Sequence, residues 1–234
     1  IVGSGIKIVE TAGRSPEPFM ELFKAYDVKV IHKCTSVRHS LKAQSVGCDA
    51  VTIDGFECAG HPGEDDIPSL VLLPQAAEAL DIPVVGCGGL RDAKSLVAAL
   101  ALGAEGIAMG TRFMATKESL IHQNVKDKMT EADERSTNLM FRTMRNTARV
   151  FKNTISDQVV EIESTGTSTF EDVKDLVAGQ RGRGVFEVGD LEAGIWSAGI
   201  SVARVKDVPT CEELISRLVS DAEAIMDGRL KEVR

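Results

Sequence analysis

The stretch Pro83-Val-Val-Gly-Cys-Gly-Gly-Leu-Arg-Asp-Ala-Lys-Ser-Leu-Val-Ala-Ala-Leu-Ala-Leu-Gly-Ala-Glu-Gly-Ile-Ala-Met-Gly110 holds one whole repeat of the chain's architecture. Residues 83–86 are short, apolar and rich in valine, which predicts a strand. The Gly88-Gly89 pair predicts a tight turn. Asp92 stands where its carboxylate can accept from the first free N–H groups of a helix, so a helix over 92–102 follows. Residues 106–109 predict the next strand. The apolar residues run on without alternating with polar ones, as in parallel strands covered on both faces. Strand, helix, strand is therefore the unit of this chain.

The same alternation extends upstream. Strands are expected at 6–9, 28–32 and 50–53. Between them lie helices near 17–26, 36–46 with Ser36 as cap, and 67–80, where Pro68 sits near the start and its missing N–H costs little. That makes five strands in all. A five-strand doubly wound sheet and part of a (β/α)8 barrel both fit, and periodicity does not separate them. Downstream the character changes. Residues 119–128 and 138–152 are expected to be helical, and 159–162 is a short apolar stretch. Residues 164–189 are polar and less regular, and 194–205 are apolar and small. An amphipathic helix over 211–226 starts at Thr210, with Glu213 at the capping-box position. Arg142, Arg145, Arg149 and Lys152 share helical spacing. They predict a solvated basic helix face, with an acidic carrier or a dinucleotide phosphate as its functional reading.

Composition sets the outer limits. The chain has 234 residues, 43% hydrophobic and 26% charged, which suits one large globular domain. A formal net charge of −8 argues against a nucleic-acid partner, which would need a concentrated positive surface. No stretch approaches the ~20 apolar residues of a membrane span. The five cysteines are odd in number and show no CxxC spacing, so metal and disulfide readings are weak and a reduced, cytoplasmic compartment is the default. The four histidines, His32, His39, His61 and His122, show no ligand spacing. His32 is expected to pack in its strand, and His39 and His122 to lie on helix surfaces.

The chemistry-bearing residues collect just after predicted strands, the edge where parallel α/β folds bind ligands. The loop Asp54-Gly-Phe-Glu-Cys-Ala-Gly-His-Pro-Gly63 surrounds His61 with small residues, so backbone can approach a flat ligand while the imidazole projects into the site. Histidine suits proton transfer; a loop histidine in water is the plain alternative. Gly88 and Gly89 expose backbone N–H groups with a helix start behind them, which suits a phosphate; a simple βα turn is the alternative. Met109-Gly110-Thr111-Arg112-Phe113 offers a glycine, a hydroxyl and a cation at the next strand end. Phosphate sites of (β/α)8 enzymes are commonly built from the loops after strands 7 and 8, and two such loops about 22 residues apart fit that plan. Lys33 is either a solvated strand cap or a cation for an anionic cofactor edge.

The set Asp54 to His61, Gly88-Gly89, Ala98 to Ile107 and Met109 to Phe113 resembles the nitronate monooxygenases, formerly called 2-nitropropane dioxygenases. The similarity continues through Glu118-Ser119, His122-Gln123-Asn124 and Arg145-Asn146-Thr147 to Trp196. The resemblance implies a TIM-barrel flavoprotein, an FMN-dependent oxidoreductase that oxidises alkyl nitronates or nitroalkanes with O2. It implies His61 as the catalytic base or orienting group at the flavin. Lys33, Asp54 and Gly60 would be on the flavin side, and Gly88, Gly89, Gly110 and Thr111 at its phosphate. Ser197, beside Trp196, is carried over as a substrate-side group. No metal is implied, and a homo-oligomer is compatible with this reading.

The family barrel has eight strands, and only five are found here. They correspond to the last five, so residues 1–118 are expected to form βα units 4 to 8 and residues 119–234 a mainly helical segment packed on them. A truncated barrel with an open edge is the expectation. Two other readings stand beside the first. One is an FMN-dependent NAD(P)H enoyl-acyl-carrier-protein or quinone reductase, whose glycine and histidine loops are similar. The other is a non-catalytic flavin-binding fragment.

Overall fold

A computed structural model of the chain describes residues 1–233. Five strands form one parallel sheet: β1 (Ile8–Ala12), β2 (Lys29–Cys34), β3 (Ala50–Asp54), β4 (Val84–Cys87) and β5 (Gly106–Ile107), hydrogen-bonded in sequence order. Four helices link them: α1 (Glu17–Ala25), α2 (Val37–Ser45), α3 (Ser69–Ala79) and α4 (Ala93–Ala101). Strand neighbours in chain order are neighbours in space throughout. That separates the two fold readings: a doubly wound sheet reverses its order at a switch point, whereas a barrel wall advances one strand at a time. The fold is of the (β/α)8-barrel type, seen here as an arc of five strands. β1 and β5 are each paired on one side only among the described residues, and Ile8 on β1 is 63% exposed.

Strand parity decides what faces where. Val30 and Cys34 of β2 and Val51 and Ile53 of β3 join Leu72, Leu73 and Ala76 of α3 in the core between sheet and helices. The residues between them, Lys33, Thr52 and Asp54, therefore point to the concave side of the arc, with Glu10 of β1. Thr52 Oγ1 donates to Glu10 Oε1 at 2.8 Å, and Lys33 Nζ lies 3.4 Å from Glu10 Oε2. A polar layer thus lines the concave face at the carboxyl ends of the strands, while the opposite face is an ordinary aliphatic core.

The helix starts follow their side chains. Ser36 accepts from His39 N at the start of α2, and Asp92 and Ser95 form a capping box on α4. That box occupies the end of α4, so the helix start expected behind Gly88-Gly89 is already satisfied by Asp92.

After β5 come α5 (Thr111–Met114), α6 (Gln123–Glu131), β6 (Thr137–Met140), β7 (Ala148–Phe151), α7 (Thr154–Glu163), α8 (Phe170–Val173), α9 (Gly179–Val188) and α10 (Cys211–Asp227). The helix expected over 138–152 is not formed. Those residues make an antiparallel hairpin, with Thr137 opposite Phe151 and Met140 opposite Ala148. Met140, Ala148 and Val150 bury their side chains against Val159 of α7, so tertiary packing of two short strands wins over the helical spacing of the arginines. The apolar stretch 159–162 lies inside α7, which begins at an Asn153–Ser156 capping box. Residues 170–173 and 179–188 are helical within the region read as irregular. His122 caps α6, accepting from Asn124 N at 3.2 Å, rather than lying on a helix surface.

The C-terminal half has its own core, in which Trp196 stacks on Phe151 with ring centroids 4.2 Å apart and planes 9° from parallel. It returns to the sheet domain at several points. Ala222 of α10 packs against Ala93 and Val97 of α4, and Ile200 N donates to Glu57 O in the loop after β3. Among the described residues no helix is long and apolar enough to cross a membrane.

Candidate active site

The loop after β3 is built by its neighbours. Glu57 accepts from Ser69 N at 2.9 Å and from Ser69 Oγ at 3.0 Å, and so caps α3 where Pro68 supplies no side-chain cap. Gly60 and Arg149 of β7 exchange two backbone bonds, Gly60 N to Arg149 O at 3.0 Å and Arg149 N to Gly60 O at 2.6 Å. Beside them, His61 Nδ1 lies 3.0 Å from Thr147 O. A carbonyl oxygen only accepts, so Nδ1 carries the proton and the neutral ring presents the Nε2 lone pair. His61 is exposed and lines a cleft of about 710 Å³.

That cleft is also lined by Lys33, Asp54, Ala59, Glu64, Arg145 and Thr147. A narrower cavity of about 130 Å³ shares Lys33, Asp54 and Ala59 with it and runs on to Gly88, Gly89, Gly110 and Thr111. Eight of the site residues read from sequence are thereby brought to one strand-end surface. Seven line the two spaces, and Gly60 anchors the loop from behind. Ser197 stands apart: it is exposed and lines neither.

The electrostatics follow from burial. Asp54 is 7% exposed and its Oδ1 has no hydrogen-bond partner. Burial raises its carboxyl above the ordinary range, partly offset by the Cys87 thiol and the Lys33 cation. Burial pulls Lys33 down, but Asp54, Cys87 and Glu10 outweigh it and the ammonium is held more firmly than usual. The Cys58 thiol is pushed up to about 12 by burial, and Cys87 is raised too, by burial and then by Asp54. Both sulfurs are therefore protonated and neither is a nucleophile.

Because Asp54 binds its proton more tightly folded than unfolded, it contributes stability at low pH. That contribution is lost as pH rises through the folded value. Asp54→Asn is accordingly expected to raise the melting temperature of the flavin-free protein at neutral pH, with the gain vanishing on acidification below the usual carboxylate range. A lower melting temperature at neutral pH would show that the charge is well compensated where it lies.

Whether these residues suit a flavin can be judged from their shape. Gly88 and Gly89 have φ of +86° and +74°, and a Cβ on Gly88 would stand 2.8 Å from Gly55 O. A Cβ on Gly110 would meet nothing within 4 Å. The narrow cavity is thus floored by bare backbone. Thr111 Oγ1 accepts from Gly199 N at 3.0 Å and keeps its proton to donate. With the unpartnered Asp54 Oδ1 and the Lys33 cation, the surface offers an acceptor and a cation at one end and a glycine cradle at the other. These features fit a flavin cofactor.

The sequence profile of the nitronate monooxygenase family matches residues 3–221. The chain belongs to the nitronate monooxygenase family. Among its relatives, a (3aS,4S,5R,7aS)-5-hydroxy-7a-methyl-1-oxo-octahydro-1H-indene-4-carboxyl-CoA dehydrogenase of Rhodococcus jostii (strain RHA1) is 28% identical across 97% of this chain and 74% of its own length. A probable nitronate monooxygenase of Bacillus subtilis (strain 168) is also 28% identical, over 88% of this chain and 61% of its own. The structure of FabK from Thermotoga maritima superposes over all of this chain and 73% of that one, with a TM-score of 0.93 and 27% identity. The chain therefore spans between three fifths and three quarters of these relatives. Nitronate monooxygenases are flavin-dependent oxidoreductases.

Several residues of this region were not singled out from sequence. Thr147 is brought to His61 and to Glu64 across more than 80 positions of chain, which no local pattern reports. Arg149 carried a signal that was misread. Instead of standing on a solvated helix face it is 3% exposed, donates to Phe56 O at 2.9 Å and lies 4.6 Å from the Phe56 ring centroid. Arg142 pairs with Asp66 at 3.1 Å. The four-residue basic stripe therefore does not exist as a surface for a carrier or a dinucleotide. An arginine flanked by Ala148 and Val150 in an apolar run was the available hint.

Proposed function

We propose that this protein oxidises alkyl nitronates and nitroalkanes with molecular oxygen, using FMN held in the strand-end cleft and His61 as the base. The observation that carries the reading is the His61 Nδ1 to Thr147 O bond of 3.0 Å beside a cleft lined by Lys33 and Asp54. It leaves Nε2 as the basic nitrogen. A neutral nitroalkane bears an acidic α-carbon proton, and Nε2 is the group that takes it. An already ionised nitronate needs no base, and the same imidazole, once protonated, steadies its negative charge. When bound, FMN supplies the electron transfer from the nitronate carbon to oxygen. Lys33 and Asp54 hold the ring edge, Gly60 keeps the histidine loop against it, and Gly88, Gly89, Gly110 and Thr111 hold the phosphate. Ser197 has no contact with the cleft on which to rest a substrate role.

A second reading has specific support. FabK superposes over the whole chain, and the Rhodococcus relative is named as acting on a CoA thioester. Under that reading the site is an NAD(P)H-dependent reductase of an enoyl thioester or a quinone.

Anaerobic mixing of the FMN-loaded protein with propionate-3-nitronate, and separately with NADH, separates the two. Loss of oxidised-flavin absorbance with the nitronate and none with NADH is expected. Rapid reduction by NADH with no response to the nitronate overturns the first reading in favour of the reductase. No response to either reduces the chain to a flavin-binding fragment.

A further inference from the structure

We infer that Glu64 is a positioning residue for His61, acting through the Thr147 peptide. The inference deepens the proposed function and rests on His61 being the base at the flavin. Glu64 and His61 sit three positions apart on one loop, and both engage the same residue of the hairpin. Glu64 Oε1 accepts from Thr147 N at 2.7 Å, and Glu64 Oε2 accepts from Thr147 Oγ1 at 2.7 Å. Thr147 O in turn accepts from His61 Nδ1. Thr147 is 1% exposed, so the carboxylate of Glu64 is what meets its amide and hydroxyl in place of water.

The loop is thus fixed at two points on one short run of β7 and its approach. Gly60 is paired with the Arg149 backbone, and Glu64 grips Thr147. His61, Pro62 and Gly63 span the interval between them. Without the second anchor the span is held at one end only, and the distance between Nδ1 and the Thr147 carbonyl is no longer set. That distance is what selects the Nδ1–H tautomer and aims Nε2 at the cleft. A charge-assisted bidentate acceptor is well suited to the task, because each bond to a carboxylate is about twice as strong as a neutral one.

Glu64 also lines the cleft, so a direct role against substrate is the competing account. The two differ in what they move. A carboxylate facing an anionic nitronate repels it, and its removal lowers KM without touching the imidazole. A positioning carboxylate acts on kcat and on the histidine tautomer.

The test uses the FMN-loaded full chain with nitrogen-15-labelled histidine, the His61 signals being identified by their loss in His61→Gln. Wild-type His61 is expected to be protonated at Nδ1 in its neutral form. Glu64→Ala is expected to give a mixture of tautomers, to shift the acidic limb of the nitroalkane pH profile, where the base is lost by protonation, and to lower kcat by about 10- to 100-fold, the range for a displaced catalytic group. KM should stay close to that of the wild type. Glu64→Gln, which keeps an acceptor for one of the two bonds, should recover part of both effects. Thr147→Val, which removes only the hydroxyl bond, should lose less than Glu64→Ala, and it serves if Glu64→Ala does not fold. An unchanged tautomer in Glu64→Ala and Thr147→Val overturns the inference, as does a fall in KM with kcat preserved. The nitrogen spectrum needs no substrate, so a protein inactive on nitroalkanes whose tautomer still follows Glu64 would defeat the functional reading and leave the positioning role intact.

Discussion

His61→Ala is expected to lower oxygen consumption with a neutral nitroalkane by about 10²- to 10⁴-fold, the usual contribution of a positioned general base, and to do much less to turnover of the ionised nitronate. The asymmetry follows from the substrates. Only the neutral form needs a proton removed from carbon, and His61 Nε2 is the basic atom that the Thr147 carbonyl leaves free. The loss cannot be charged to unfolding. His61 is exposed, and the loop around it is anchored through the backbone of Gly60 and the carboxylate of Glu64 rather than through the imidazole. The one bond lost, His61 Nδ1 to Thr147 O, is worth about 0.5–1.5 kcal/mol. Bound FMN should remain at wild-type stoichiometry. Equal losses on both substrates would make His61 an orienting and charge-steadying group instead of a base. No loss on either would remove it from the active site.

The sheet half of the fold was legible in the sequence because its signals are local and mutually consistent. Valine-rich runs, glycine turns and the Ser36 and Asp92 caps each act within a few residues, and the five strands stand within three residues of where those signals put them. What was not legible was decided at a distance. The 138–152 segment has arginines at helical spacing and no Asn-Gly or Gly-Gly pair to announce a hairpin. Its turn is made with Phe141 and Arg145 at φ of +64° and +52°, positions that ordinarily favour glycine. Nothing in the local sequence predicts such a turn. It holds because Phe141 is 8% exposed, its N–H donates to Glu163 Oε2 on α7 at 2.8 Å, and Thr147 is gripped by Glu64. The candidate site divides the same way. Its strand-end members, Lys33, Asp54, Gly88 and Thr111, could be found from the alternation of strands and glycines. Thr147 and Arg149 could not, because they meet the histidine loop only through tertiary contacts, and Glu64, although on that loop, gains its partner only when Thr147 is brought beside it.

Gly88→Ala is expected to weaken FMN binding by tenfold or more, and a comparison with Gly110→Ala tells why. At φ +86° an alanine carries a strain of about 1–2 kcal/mol, which is relieved by moving the turn away from the shape that would cradle the ligand. Its Cβ would also stand 2.8 Å from Gly55 O and 2.9 Å from Gly55 N, backbone atoms that cannot swing aside. Gly55 N donates to Cys87 O at 3.1 Å, so any shift spreads from the glycine turn into the start of the histidine loop. Both the glycine turn and the histidine loop are then disturbed by one methyl group. Gly110 differs in each respect. Its φ is −86°, and an added Cβ meets no protein atom within 4 Å, so Gly110→Ala should melt like the wild type when flavin-free. If it nevertheless binds FMN more weakly in a fluorescence titration, the space beside Gly110 is where the cofactor lies, because nothing in the protein itself resists the methyl. If Gly110→Ala binds FMN normally while Gly88→Ala does not, the phosphate is held from the Gly88 side alone, and the two-loop cradle is wrong.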